Sequence, residues 1–192
     1  LTSVVIPDSV TYLGDCAFSG CSGLTGITIP VGVTYLGSDA FDGCDGITSV
    51  TLNNDLSAFC AYEVFGGSYQ NWTNLVIGAS VTNIGESAFC GCGSLTSVTI
   101  PESVENIGAW AFAECIGLTE LTISDGVKTI GESAFCGCGS LTSVTIPRSV
   151  ESIGNGAFQE CMGLMALTIS DGVKIIGDGA FYDCTGLASV VI

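Results

Sequence analysis

The sequence predicts an α/β repeat solenoid, in which the short strands of successive units stack into a parallel sheet. Three observations support this fold. The chain reads as about eight near-copies of a 23-residue unit, aliphatic side chains return at the same places in every copy, and glycine and an Ala-Phe pair do the same. A single unit is too small to bury its apolar side chains, so the units must stack to form a core.

The units align on the consensus LTSVTIPxSVxxIGxxAFxxCxx, whose positions we number as columns 1 to 23. Copies begin at Leu1, Leu24, Ile47, Trp72, Leu95, Leu118, Leu141 and Leu164, and a partial ninth copy covers residues 187–192. The unit at residues 47–71 has 25 residues and is the irregular one. Because the repeat continues through residues 1–192 without a linker, we expect a single domain.

Columns 1 to 7 predict the strand of each unit. Columns 4 and 6 are apolar and columns 3 and 5 are mostly polar, which is the alternation of a half-buried strand. Column 7 is proline at Pro7, Pro30, Pro101 and Pro147. Proline ends a strand because it lacks an N–H group. Strands stacked about 4.8 Å apart would align the like side chains of neighbouring units in one core.

Columns 10 to 21 predict how the chain returns to the next strand. Columns 10 and 13 are aliphatic, as in Val104 and Ile107. Column 14 is glycine in seven of eight units, which predicts a turn that needs a positive φ. Columns 17 and 18 read Ala-Phe, and the AFxxC segment is long enough only for one helical or 3-10 turn.

With these columns in place, the pattern LxxVxIPxxVxxIGxxAFxxCxx resembles the Treponema-type, or BspA-like, leucine-rich repeat over essentially the whole chain. The resemblance implies a leucine-rich-repeat right-handed solenoid with its parallel β-sheet on the concave face. It also implies a cell-surface or secreted protein that acts in adhesion, and it brings no catalytic motif. The irregular unit departs from the pattern, since Cys60 replaces the glycine and Val64 replaces the alanine.

The charge balance restricts the partners. The chain has 19 acidic and 3 basic residues, for a formal net charge of −16. Phosphate groups are bound mainly by lysine and arginine, which are scarce here, so we expect neither nucleic acid nor an anionic membrane surface as a partner. No apolar stretch approaches the roughly 18 residues of a membrane span, so we expect no membrane insertion. The sequence opens within a repeat, which suggests a piece of a longer protein.

Seven of the eleven cysteines share column 21, namely Cys21, Cys44, Cys92, Cys115, Cys138, Cys161 and Cys184. The repeat favours a buried column of reduced thiols, because free cysteine behaves as a small apolar residue. Disulfides are the alternative, since neighbouring units bring Cα atoms near the usual window of roughly 4.4–6.8 Å. Zinc has less support, because the chain has no histidine and Cys90 and Cys92 form a CxC pair. We expect no metal and no cofactor, and we expect Cys90 and Cys136 of column 19 to be the most accessible thiols.

The sequence also gives no support to catalysis. Without histidine, the usual base for a serine or cysteine nucleophile is absent. The carboxylates are spread over exposed columns without a unique pair, and the glycines follow the repeat instead of forming a phosphate loop. We therefore expect that the protein is not an enzyme.

The three basic residues all stand among acids. Lys128 and Lys174 occupy column 11, where they alternate with Glu105 and Glu151 on neighbouring units. Arg148 lies in column 8, between Asp125 and Asp171 of the adjacent units. The interpretation that we favour is a modest surface charge network, and a role of these cations in binding is the alternative.

The outward face of the sheet is the first candidate binding surface. Column 5 carries the candidate partner-binding residues Thr28, Thr51, Thr99, Thr122, Thr145 and Thr168, and serine is frequent in column 3. Threonine also favours strands for structural reasons alone. The functional interpretation is a hydroxyl-rich platform for a protein or a glycan. Ice binding by a regular threonine array is a less favoured interpretation, because solenoid curvature and the breaks at Val76 and Glu120 oppose it.

The irregular unit is the second candidate surface. Phe59 and Trp72 occupy core columns, whereas Tyr62 and Tyr69 are expected to be exposed and to bind a partner. Aromatic residues are favoured at binding hot spots. The alternative is a degenerate repeat that has simply repacked.

The function that the sequence favours is a non-enzymatic extracellular or cell-surface module for protein–protein interaction or adhesion. The alternative is a structural scaffold or filament-forming solenoid. The outermost strands, Leu1–Ile6 and Leu187–Ile192, lack a polar capping repeat, so end-to-end self-association is also expected.

Overall fold

The computed structural model describes residues 1–192 and is a solenoid of about eight stacked turns of parallel strands with little helix. The predicted fold is confirmed. None of its helices is long and apolar enough to cross a membrane.

The strands, numbered β1 to β15 in chain order, fall into two groups. The long strands cover columns 3 to 6 and are β2 (Gly26–Ile29), β4 (Ser49–Leu52), β5 (Asn74–Ile77), β7 (Ser97–Ile100), β9 (Glu120–Ile123), β11 (Ser143–Ile146), β13 (Ala166–Ile169) and the shorter β15 (Ser189–Val191). The first unit forms no long strand, so the prediction of a strand at Leu1–Ile6 is wrong. The short strands cover columns 12 and 13 and are β1 (Tyr12–Leu13), β3 (Tyr35–Leu36), β6 (Asn83–Ile84), β8 (Asn106–Ile107), β10 (Thr129–Ile130), β12 (Ser152–Ile153) and β14 (Ile175–Ile176).

Stacking brings like columns together in parallel register. The long strands form three hydrogen-bonded groups, β2–β4–β5, β7–β9 and β11–β13–β15, which lie side by side and are together called the long-strand sheet. In this sheet Thr28 lies opposite Thr51, and Thr145 lies opposite Thr168. In the short-strand sheet Ile130 pairs with Ile107 on one side and with Ile153 on the other. The short strands could not be predicted from the sequence, because two residues are too few to reveal an alternation of apolar and polar side chains.

The core is one continuous cluster between the two sheets and the turns. The column-18 phenylalanines stack along it, as in Phe89 on Phe112 and Phe112 on Phe135, with ring centroids 5.0 Å and 5.3 Å apart. Such aromatic pairs stabilise beyond the burial of their area. The eight rings expected to stack from Phe18 to Phe181 do so in two runs, Phe18 to Phe65 and Phe89 to Phe181, and the stack is interrupted at the irregular unit, where Phe65 meets Trp72 edge-on.

The AFxxC segment forms a ladder of turns that links each unit to the next. Within a unit, Cys90 N–H donates to the Ser87 carbonyl (3.2 Å), which closes a turn. Between units, Phe89 N–H donates to the Ala111 carbonyl (2.7 Å) and Gly91 N–H donates to the Ala113 carbonyl (2.8 Å). Columns 16, 18 and 20 therefore donate forward, and helix proper is confined to the irregular unit.

The prediction of a positive φ at column 14 is wrong. Positive φ occurs in columns 16 and 20 instead, as at Trp110 (58°) and Glu114 (59°). Column 14 needs glycine because neighbouring units approach closely there. A Cβ atom on Gly108 would lie 2.6 Å from the carbonyl carbon of Gly85 in the preceding unit.

The irregular unit breaks the short-strand sheet. It contains α1 (Ala61–Phe65) and a 3-10 helix (Gly66–Asn71) in place of the usual turn. Only an isolated bridge between Leu56 and Ile84 remains where a short strand would lie. As a result β1 and β3 form a separate pair, and the short strands β6, β8, β10, β12 and β14 form a five-stranded sheet.

The column-21 cysteines are buried within the stack, as predicted. Cys44, Cys92, Cys115, Cys138 and Cys161 are buried, whereas Cys21 and Cys184 in the outer units are half-buried. The prediction that Cys90 and Cys136 are the most accessible thiols is wrong, since only 8% of Cys136 is exposed and Cys90 is half-buried. Cys16 is the exposed cysteine instead.

The two lysines form ion pairs, whereas the arginine does not. Lys128 Nζ lies 2.7 Å from Glu105 Oε2, and Lys174 Nζ lies 2.8 Å from Glu151 Oε2, as the column-11 pattern predicts. These pairs are well exposed, so each contributes little to stability. Arg148 forms no salt bridge, so it does not join the predicted charge network.

Candidate binding surfaces

The long strands display column 5 on the outer face of the sheet because columns 4 and 6 turn into the core. The six predicted threonines all lie on this face, with Thr28, Thr99, Thr122 and Thr145 exposed and Thr51 and Thr168 half-buried. None of their hydroxyl groups makes a hydrogen bond within the chain. The column-2 hydroxyls differ, since Thr119 Oγ1 donates to the Thr96 carbonyl (3.0 Å). The column-5 hydroxyls are therefore free to bond to a partner.

Two shallow grooves indent this face. Thr28 and Thr51 line a groove of about 480 Å³ together with the exposed Val5. Thr145 lines a second groove, of about 690 Å³, whose wall carries Arg148. The six threonines thus lie opposite one another in three pairs, of which Thr28 and Thr51 share one groove and Thr145 lines the other. Thr99, Thr122 and Thr168 line neither groove.

The two tyrosines of the irregular unit have different environments. Tyr62 on α1 is 65% exposed, but Tyr69 is only 9% exposed, so the prediction that Tyr69 is exposed is wrong. The extra residues fold into a 3-10 helix that turns the Tyr69 ring inward, edge-on to Tyr62 at a centroid distance of 6.2 Å. Phe59 and Trp72 are buried, as predicted.

Two exposed aromatic features were not predicted from the sequence. Tyr12 and Tyr35 stack on the outer side of the short strands with ring centroids 4.6 Å apart and an interplanar angle of 5°. Their spacing of 23 residues in column 12 could have revealed the pair. Trp110 is the second feature, because it is 42% exposed and adopts the left-handed φ that tryptophan rarely takes.

A cleft of about 280 Å³ opens beside Tyr35, where the irregular unit lacks its short strand. Thr34 and Leu36 line one side of it, and Asn54, Asp55 and Glu63 line the other. The repeat pattern could not have predicted this cleft, because the cleft exists only where the irregular unit departs from the pattern and lacks a short strand.

The electrostatics of the cleft are negative. Asp55 accepts hydrogen bonds from the Ser57 hydroxyl (2.6 Å) and the Ser57 N–H (2.9 Å), which hold the pKa of its carboxyl group below the usual value. The Asp15 carboxylate, with a smaller contribution from Tyr12, raises the pKa of Tyr35. Asp55 is therefore ionised at neutral pH, while the Tyr35 hydroxyl remains neutral.

The sequence matches a known repeat family. A profile of the BspA type leucine rich repeat region matches residues 1–68 and 60–188, with six copies. Among curated proteins, no significant match to the chain was found.

Solved structures with the same fold come from several bacteria. A leucine rich cell surface protein from Faecalibacterium prausnitzii is 32% identical, with a TM-score of 0.64, over 96% of this chain and 52% of that one. A leucine-rich repeat protein from Bacteroides ovatus is 25% identical, with a TM-score of 0.53, over 96% of this chain and 71% of that one. The T. pallidum leucine-rich repeat protein is 26% identical, with a TM-score of 0.50, over 93% of this chain and 72% of that one. The chain spans about half the length of the F. prausnitzii protein.

Proposed function

The chain belongs to the BspA-type leucine-rich repeat family, and on that premise we propose that it is a non-enzymatic, protein-binding module of a cell-surface or secreted protein that acts in adhesion. The observation that carries the proposal is the likeness to the F. prausnitzii cell surface protein, which extends over 96% of this chain. The repeat supplies a rigid scaffold, and the partner is chosen by what the scaffold displays.

The face of the long-strand sheet is the surface that we assign to the partner. It is broad and carries unbonded threonine hydroxyls, as binding to a polar protein surface requires. Exposed hydroxyls lose little on desolvation when a partner replaces the bonds to water. A glycan could use the same hydroxyls and is the second type of ligand for this face.

The test is a binding assay on immobilised chain with extracellular matrix and cell-surface proteins. We expect that the double variant Thr122→Lys, Thr145→Lys loses the partner that the unaltered chain retains, because two long cationic side chains would stand on the contact face. Both positions are exposed, so the fold should persist, and circular dichroism would check this.

Controls separate this face from the rest of the molecule. Tyr62→Ala tests the irregular unit without disturbing the core, whereas Tyr69→Ala would remove a buried side chain and is unsuitable. Glu105→Lys tests the short-strand side, where only an exposed ion pair is lost. If Glu105→Lys abolishes binding while the threonine and Tyr62 variants bind normally, the proposed face is wrong.

A further inference from the structure

The cleft beside Tyr35 contains backbone acceptors that regular units do not leave free. In those units the carbonyls of columns 11 and 13 accept hydrogen bonds from the next unit. Lys128 N–H donates to the Glu105 carbonyl (2.7 Å), and Gly131 N–H donates to the Ile107 carbonyl (2.9 Å). The equivalent carbonyls of Thr34 and Leu36 accept no hydrogen bond, because the irregular unit forms no strand beside them. Both residues line the cleft.

Asn54 adds a third unpaired acceptor. It lines the same cleft, and only 5% of the residue is exposed. Its Nδ2 donates to the Asp55 carbonyl (3.2 Å), but its Oδ1 is buried and has no donor. A buried carbonyl oxygen without a donor is unfavourable, so a turn of the Asn54 side chain that lets Oδ1 accept from an N–H group in the cleft would be favoured.

The negative charge of the carboxylates around these acceptors favours binding of a cation. Asp55 and Glu63 line the cleft as well, and residues 1–127 contain no lysine or arginine that could occupy it from within the chain. Tyr35 lines the cleft, and its ring is held in place by its stack on Tyr12. An aromatic face beside carboxylates favours a planar cation.

We propose that this cleft binds an arginine side chain of a partner protein. A guanidinium group has five N–H donors and no acceptor, which matches a cleft whose free polar groups are acceptors. It also stacks on aromatic rings and is less strongly hydrated than an ammonium group. The volume, about 280 Å³, lies just below the roughly 300–1,000 Å³ of small-molecule pockets, so one side chain is the right size. The inference rests on the proposed function, because the partner protein supplies the arginine.

The direct test uses model compounds in place of the partner. Nα-acetyl-arginine methylamide and the citrulline analogue, which has the same shape but a neutral urea group, are titrated into isotopically labelled chain and followed by NMR. We expect the arginine compound to shift the backbone signals of Tyr35, Leu36 and Asn54. The citrulline compound should bind about fivefold more weakly, because it lacks the charge.

Matched variants locate the site. Glu63→Gln should weaken binding of the arginine compound by about fivefold, whereas Glu132→Gln, which removes the same charge from an exposed position in the sixth unit, should change it by less than about twofold. Tyr35→Ala should also weaken binding, and Tyr35→Phe should restore it, because the ring is kept. These side chains are exposed, so all four variants should fold.

Three results would overturn the proposal: equal binding of the arginine and citrulline compounds, tighter binding of the corresponding lysine compound, or signal shifts that lie outside the cleft. Failure of the proposed function is a separate result. If the arginine compound binds in the cleft but the chain retains no extracellular protein, the protein-binding role fails and the arginine site stands. If the threonine variants lose a partner but the arginine compound does not bind, the arginine site fails and the protein-binding role stands.

Discussion

At the scale of single residues, cysteine in column 21 both fills space and completes a hydrogen bond. Cys138 Sγ lies 3.2 Å from the Phe112 carbonyl oxygen, and Cys161 Sγ lies 3.3 Å from that of Phe135. Each carbonyl belongs to the preceding unit and already accepts an N–H group from its own turn, so the thiol uses the second lone pair. A weak donor of small volume suits this place because the surroundings are apolar.

The first prediction concerns the reactivity of these thiols. Burial raises the pKa of Cys115 and Cys138 well above the usual value, so they stay protonated, and hence unreactive, even at pH values where free thiols ionise. Iodoacetamide should therefore modify Cys16 first and leave the buried members of column 21 untouched, as mass mapping would detect. The same reaction in denaturant should modify all eleven cysteines. Modification of Cys138 in the native protein as fast as that of Cys16 would contradict the burial.

At the scale of elements, glycine sets how closely the turns of neighbouring units approach. Column 14 passes directly over the backbone of the unit before it, and a side chain there would separate the two units. Because interiors are packed without spare volume, the neighbours cannot simply move apart. This close approach holds the short strands in pairing distance.

Because column 14 is crowded and column 22 is open, we predict that alanine substitutions at these two columns differ in their effect on stability. Gly108→Ala should lower the free energy of unfolding by about 1–3 kcal/mol, because its Cβ would meet the Gly85 backbone at 2.6 Å. Gly139→Ala should be neutral or stabilise by less than about 1 kcal/mol, since the nearest atom to its Cβ, the Gly137 oxygen, is 4.0 Å away. Urea unfolding of both variants measures the difference. Equal effects would mean that column 14 is glycine for another reason.

The elements that could be predicted from the sequence are those whose residues recur at the same column in every unit. The long strands and the phenylalanine column follow from alternation and from recurrence at a fixed spacing. The short strands, the burial of Tyr69 and the cleft at Asn54 do not, because each depends on how one unit meets the next. The face of Thr122 could be predicted, since alternation assigns it outward, but its partner could not, because the repeat specifies scaffold positions only.

At the scale of the whole molecule, stability is shared between neighbours. Each unit buries its apolar columns only against the units beside it, so the outermost strand is the least covered. In residues 1–192 taken alone, Val190 and Val191 on β15 are exposed, and β15 pairs on one side only. An unpaired strand edge with apolar side chains favours pairing with another chain.

We therefore predict that the 192-residue polypeptide, taken alone, self-associates end to end as its concentration rises. Val190→Lys should suppress this association, because it places a charge on the exposed strand. Ile116→Lys is the matched control, since Ile116 is similarly exposed but lies in the middle of the stack. Sedimentation velocity over a concentration series measures the effect. A species that is monomeric throughout, or an equal effect of both variants, would refute the prediction.

The forward-donating turns have a consequence for the electric character of the stack. In columns 15 to 20, alternate peptide groups point their N–H toward the following unit and their C=O toward the preceding one, as at Phe112 and Ala134. Each peptide group carries a dipole of about 3.5 D. Rows of them aligned across many units add up, as they do in an α-helix but with the opposite sense. This row of turns therefore has a polar axis of its own, positive toward the last unit and negative toward the first, and it is opposed elsewhere in the stack by N–H groups that donate to the preceding unit, as at Lys128 and Gly131.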